Sequence, residues 1–101
     1  RRNTRVALHM IQAVDETLEM LGRKSKPQVY TYLEKRFGLR KDEIPDRPEA
    51  FSKGLFSLFG SASRPLELKI VKKLYNRLGM EFKPESDFNF ADTIAGLEII
   101  G

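Results

Sequence analysis

The sequence predicts an all-α fold, a compact single-domain bundle of about five short helices, on three observations. Four times a large apolar residue is followed at once by glycine: Leu21-Gly22, Phe37-Gly38, Phe59-Gly60 and Leu78-Gly79. Each pair closes a stretch with helical spacing of apolar residues, and glycine tolerates the left-handed backbone that ends many helices. Several of these stretches open on a serine or aspartate with a proline in the first turn, the pattern of a helix start. The length, 101 residues, suits one domain, and 41% hydrophobic with 32% charged residues suits a soluble globular one.

The first helix is predicted from about Thr4 to Leu21. Ala7, Met10, Ile11, Val14, Leu18 and Leu21 form its buried face, and Val6, Ala13 and Met20 widen the stripe to nearly half the circumference. The second begins with a capping box, Ser25 to Gln28 with Pro27 early, buries Val29, Tyr30, Leu33 and Phe37, and ends at Gly38. A charged connector, Leu39 to Pro45, sends Ile44 into the core, and Pro45 blocks a continued helix. The third helix restarts with Asp46 and Glu49 as a second capping pattern and carries Phe51, Leu55, Leu58 and Phe59 on one face. After the small-residue turn Gly60-Ser61-Ala62-Ser63, a serine caps the fourth helix, which runs to Gly79. Its buried side is Leu66, Ile70, Val71, Leu74, Tyr75 and Leu78. A short fifth helix starts near Asn89 and uses Phe90, Ile94 and Leu97. Val29, Leu33, Arg36 and Gly38 are echoed 41 positions later by Ile70, Leu74, Arg77 and Gly79, but repeat architectures usually need three or more units.

Composition narrows the chemistry. With no cysteine there is no disulfide, thiolate metal site or thiol nucleophile. The absence of cysteine fits a reducing cytosol, so a cytoplasmic location is expected, and no apolar run approaches the roughly 20 residues that span a bilayer, so no membrane role is. The chain opens on Arg1-Arg2, which points to a domain excised from a longer protein. The net charge is +4 but unevenly spread. Between Arg23 and Lys41 seven basic residues face Glu34 alone, whereas from Glu81 onward five acidic residues face Lys83. Such polarity steers charged partners toward one side.

Neither a nucleophile motif nor a phosphate-binding glycine loop occurs. His9, the only histidine, lies off the first helix's apolar stripe and reads as solvated. Asp42, Glu43, Asp46 and Glu49 lack calcium-loop spacing and read as capping and solvated carboxylates, two of them already assigned as helix caps. No catalytic, metal or cofactor residue is assigned, and the domain is expected to fold without any of these. Two candidate surfaces remain. Ser61, Ser63 and Arg64 at a helix N-terminus, with Lys69, Lys72, Lys73 and Arg77 on the fourth helix, would contact an anion or nucleic-acid phosphates. Val6, Ala13, Met20 and Phe56, at the edges of their apolar stripes, would bind a protein partner or a second copy of the chain. The third helix is the least polar, with Lys53 its only charge between Ala50 and Ala62.

Several segments also resemble the Nitrosopumilus output domain family, small helical modules of archaeal proteins. They are Tyr32-Leu33-Glu34-Lys35-Arg36-Phe37-Gly38-Leu39, Asp42-Glu43-Ile44-Pro45, Pro48-Glu49-Ala50-Phe51, Leu58-Phe59-Gly60-Ser61 and the run from Lys72 to Met80. The similarity covers about Thr17 to Ala95 and rests on helix ends and core positions. It implies a non-enzymatic output module acting downstream of sensing or regulatory domains, and it brings no catalytic residues. Ser61-Ala62-Ser63 stands where the family pattern has a further glycine. The expected function is therefore an archaeal output and protein-interaction domain; the alternative is a basic helical domain that binds nucleic acid non-specifically through its phosphates.

Overall fold

Five helices follow one another with no strand among the described residues, 3–100, whose side chains are described over 3–98, in a computed structural model. They are α1 (Thr4–Glu19), α2 (Ser25–Phe37), α3 (Pro48–Phe59), α4 (Ser63–Arg77) and α5 (Phe90–Ile100), with 3-10 turns at Lys41–Asp46 and Gly60–Ala62. The radius of gyration, 12.6 Å, is that of a single packed domain of this length.

The four apolar-glycine pairs do mark helix ends, and all four glycines have positive φ. At the end of α2, Gly38 (φ 59°) lets the Leu39 N–H reach back to the Leu33 carbonyl at 3.2 Å. Leu39 then enters the core, and the Arg47 guanidinium donates to the Gly38 and Phe37 carbonyls at 2.8 and 3.3 Å. Gly79 closes α4 in the same manner, with the Met80 N–H on the Tyr75 carbonyl at 2.8 Å. At its other end α1 is capped by Asn3, whose Oδ1 accepts the Val6 N–H at 3.2 Å. Asn89 Oδ1 likewise accepts the Asp92 N–H at 2.9 Å at the start of α5.

Three helix starts differ from expectation. Ser25 is already inside α2, and its hydroxyl donates to the Leu21 carbonyl at 3.1 Å and does not cap the helix. Asp46 completes the 3-10 turn, because Pro45 is accommodated within that turn, so the residue preceding α3 is Arg47 with no side-chain cap. The 3-10 turn Gly60–Ala62 runs straight into α4, which leaves Ser63 as its first residue and no serine cap.

α1 is the central element. α4, α2 and the Lys41–Asp46 turn all pack on it, while α3 packs on α2, α4 and α5. The core joins Met10, Val14 and Leu18 of α1 to Leu33, Ile44, Phe51, Leu55, Ile70, Leu74, Ile94 and Leu97. Phe90, Ile94 and Leu97 are buried as the spacing predicts, and so are Leu66, Ile70, Val71 and Leu74. Leu21 and Leu58, expected inside, are exposed. On α1 the buried rows are Val6–Met10–Ala13–Thr17 and Ala7–Val14–Leu18, with Ile11 only half-buried. Polar pins fasten the helices. Asp15 on α1 accepts from the Tyr30 hydroxyl at 2.6 Å and from Lys41 Nζ at 2.7 Å, and Glu98 on α5 accepts the Asn3 N–H at 2.7 Å.

Candidate functional site

The outward face of α3 follows from what the inward face must do. Phe51, Gly54 and Leu55 are buried, so helical geometry turns Ser52, Lys53, Phe56 and Ser57 away from the centre. Phe56 is left 64% exposed. The tight turn Gly60–Ala62 then folds the start of α4 alongside, and Ser63, Arg64 and Glu67 form the opposite wall. Between the walls lies an open hollow of about 700 Å³. It gathers Phe56, Ser61, Ser63 and Arg64, which the sequence had divided between two separate surfaces.

Glu67 is the unexpected member. It is only 8% exposed, and its carboxylate accepts a hydrogen bond from the Ser52 hydroxyl across the hollow. Burial pushes its carboxyl above the usual range; the Ser52 bond and the positive charge of Arg64 pull the other way without cancelling the effect. Chemically the hollow offers one apolar ring, several hydroxyls and a carboxylate that gains from a further hydrogen-bond donor. Ser57, which also lines the hollow, has its hydroxyl 2.5 Å from that of Tyr32, tying α3 to α2.

Arg64 does not stand free for an anion. It donates to the Phe88 carbonyl at 3.1 Å, and its guanidinium carbon lies 5.4 Å from the Phe88 ring centroid, so it anchors the loop before α5. Ser61 is exposed and Ser63 buried. The basic face of α4 divides in two. Arg77 reaches Glu16 at 3.4 Å and Gln12 at 2.5 Å on α1, and Lys73 lies 4.0 Å from Glu16. Lys69 and Lys72 remain exposed. Pairing with α1 therefore removes half of the expected phosphate-contacting cluster.

Two of the four proposed partner residues are corrected. Val6 and Ala13 are fully buried, because α4, α2 and the Lys41–Asp46 turn pack around α1 and cover both residues. Met20 is 60% exposed at the end of α1, as its edge position suggested. His9 also departs from its solvated reading: it is half-buried, and its Nδ1 is enclosed without a partner. In the acidic segment, Glu43 Oε1 accepts the Arg40 N–H at 2.9 Å and Asp42 pairs with Arg40 at 3.7 Å, so both carboxylates stabilise the 3-10 turn. No group of three or more metal-ligating side chains converges among the described residues, and none of their helices is long and apolar enough to cross a membrane.

Sequence reasoning missed Glu67, the fully buried Thr17 and the exposed Leu8. Glu67 follows Leu66 and sits four residues after Ser63, a spacing that places it beside the buried side of α4. It also missed a second groove, of about 520 Å³, beneath the Glu81–Asn89 loop. Comparison with protein-family models, with curated proteins and with solved structures gives no match for this chain.

Proposed function

We propose that this domain is a non-enzymatic protein-interaction module of the output kind, and that its partner docks on the α3 face centred on Phe56. The single observation that carries the reading is Phe56 itself. A phenylalanine 64% exposed beside an open hollow, on a helix whose only charges are Glu49 and Lys53, is apolar surface that the fold leaves unused. Aromatic residues of this kind are frequent interface anchors. Glu67 adds direction, since a donor on the partner would satisfy its buried carboxylate. The resemblance to archaeal output modules supports the same reading and implies a cytoplasmic partner acting after a sensing or regulatory domain. A second copy of the chain is one such partner.

Phosphate-directed nucleic-acid binding is the second reading, favoured by Lys69 and Lys72, which are exposed and make no ion pair among the described residues. Two lysines would give only weak, salt-sensitive and sequence-indifferent association. Fluorescence anisotropy with unrelated duplexes tests it, and nanomolar preference for one sequence at physiological salt would reverse the ranking.

Sedimentation and melting of variants test the first reading. Phe56→Glu is expected to abolish association, with itself or with the co-expressed parent's partner, while the melting temperature stays near wild type. Leu55→Glu places a charge in the core and is expected to unfold the domain. If Phe56→Glu melts like Leu55→Glu, or associates like wild type, the α3 face is not the docking surface.

A further inference from the structure

The groove beneath the Glu81–Asn89 loop lies apart from the Phe56 hollow. Tyr75 of α4 and Phe82 and Phe88 of the loop form a continuous aromatic wall, with ring centroids 5.0 and 5.8 Å apart. All three rings are half-buried. Glu81, Glu85, Asp87 and Asp92 line the same groove against one cation, Lys83, which lies 3.7 Å from Glu81. Gly96 of α5 also lines it, and no atom lies within 4 Å of where its Cβ would stand. A glycine inside a helix weakens the helix relative to alanine. Here the fold gains no close packing in return, and the space left open faces the groove.

From these independent observations we propose that the groove docks a lysine- or arginine-bearing extended segment of a partner protein. Carboxylates at the rim attract the charge, ring faces accept a guanidinium or ammonium, and Gly96 lets the segment approach the α5 backbone. The chain carries its own example of the contact, because Arg64 already places its guanidinium over Phe88. A second copy of the chain fits less well. Of its basic residues, Lys26 and Lys41 pair with Asp15, Arg40 pairs with Asp42, and Arg36 lies over the Tyr32 ring. Other exposed basic residues, Arg5, Lys35, Lys53, Lys69 and Lys72 on helices and Arg23 and Lys24 in the short turn before α2, are held in folded elements and cannot enter a groove as an extended segment.

The test titrates end-capped hexa-arginine, with hexa-glutamate as control, into the nitrogen-15-labelled domain at physiological ionic strength. Saturable shifts of the Phe88, Asp92 and Gly96 amides are expected with hexa-arginine only. Gly96→Leu extends into the groove from a Cβ position that no atom of the fold approaches within 4 Å. It should lower affinity about tenfold with an unchanged or raised melting temperature. The pair Glu85→Gln and Asp87→Asn, at exposed positions, should lower it comparably. Phe56→Glu should leave it unchanged, which separates this groove from the α3 surface. The proposal is overturned if Gly96→Leu binds like wild type, or if the shifts scatter over acidic residues outside the groove. It is overturned equally if the groove amides shift with protein concentration alone, which would make a second copy the occupant. Tetramethylammonium binding the groove more tightly than hexa-arginine, and displacing it, would overturn the proposal in favour of a small organic cation.

Discussion

Two helical glycines with opposite surroundings allow the packing of α3 to be measured directly. A Cβ built on Gly54 would stand 2.2 Å from Cδ2 of Leu33 on α2, whereas one built on Gly96 meets nothing within 4 Å. Carbon atoms pack at about 3.5–4.0 Å, so Gly54→Ala forces a displacement of more than ~1 Å. Leu33 is fully buried and has no solvent to move into. Alanine gains about 1 kcal/mol of helix propensity at either site. Overpacking a core costs about 1–3 kcal/mol, which applies at Gly54 only. Gly54→Ala is therefore expected to destabilise the domain by about 1 kcal/mol and Gly96→Ala to stabilise it by about 1 kcal/mol. For a domain of this size each corresponds to roughly 4–8 °C in melting temperature, in opposite directions. Urea denaturation followed by circular dichroism gives both values. A second background sharpens the test. Leu33→Ala removes the obstructing methyl, so Gly54→Ala should turn stabilising in that background, and the double-mutant cycle should show favourable coupling. If Gly54→Ala stabilises the wild-type protein as Gly96→Ala does, Leu33 moves aside freely and close approach of α2 and α3 is not why position 54 is glycine. The outcome bears on function, because the approach at Gly54 sets how far Phe56 and Ser57 stand out from α2.

Thr17 is fully buried with its hydroxyl unpartnered, so Thr17→Val should raise stability by about 1 kcal/mol in chemical denaturation. At Asp15, burial raises the carboxyl, but bonds from Lys41 and Tyr30 and the charges of Lys41 and Lys26 outweigh it, so the net shift is downward. A carboxyl lowered in the folded state contributes stability that is present above its unfolded pKa and lost as pH falls through the folded one. Asp15→Asn should therefore cost about 1–2 kcal/mol at neutral pH and progressively less in acid, as read from melts across the carboxylate range. Glu67 has the opposite sign: its raised carboxyl makes the ionised form unfavourable as pH rises through the folded value. Glu67→Gln should be more stable than wild type near pH 7 and lose that advantage in acid; a constant difference across the pH series would contradict the assignment.

The all-α class, the order of five helices and their stops were legible in the sequence because those features are decided within a few residues. The backbone after Phe37 or Leu78 must turn left-handed, and Gly38 and Gly79 let it. The apolar row of α4 was legible for the same reason, since its wide charged side identifies the other, and that of α5 followed from the four- and three-residue spacing of Phe90, Ile94 and Leu97. Burial at Val6 and Ala13 was not legible, because it depends on how many neighbours surround α1. Helix starts were misread where a 3-10 turn absorbed the residue that would have capped, as at Asp46. Which charges remain free was decided only by the tertiary structure. Arg77 is neutralised by Glu16, 61 positions away in the chain, and Arg64 is drawn to the Phe88 carbonyl rather than to an anion. Glu67 shows the same limit, since its burial and its bond come from Ser52 on another helix. Helix signals are local, so one segment suffices to reveal them. Exposure, pairing and grooves are properties of surfaces that meet only when distant segments pack, and the residues that could bind a partner are the ones that packing leaves uncovered.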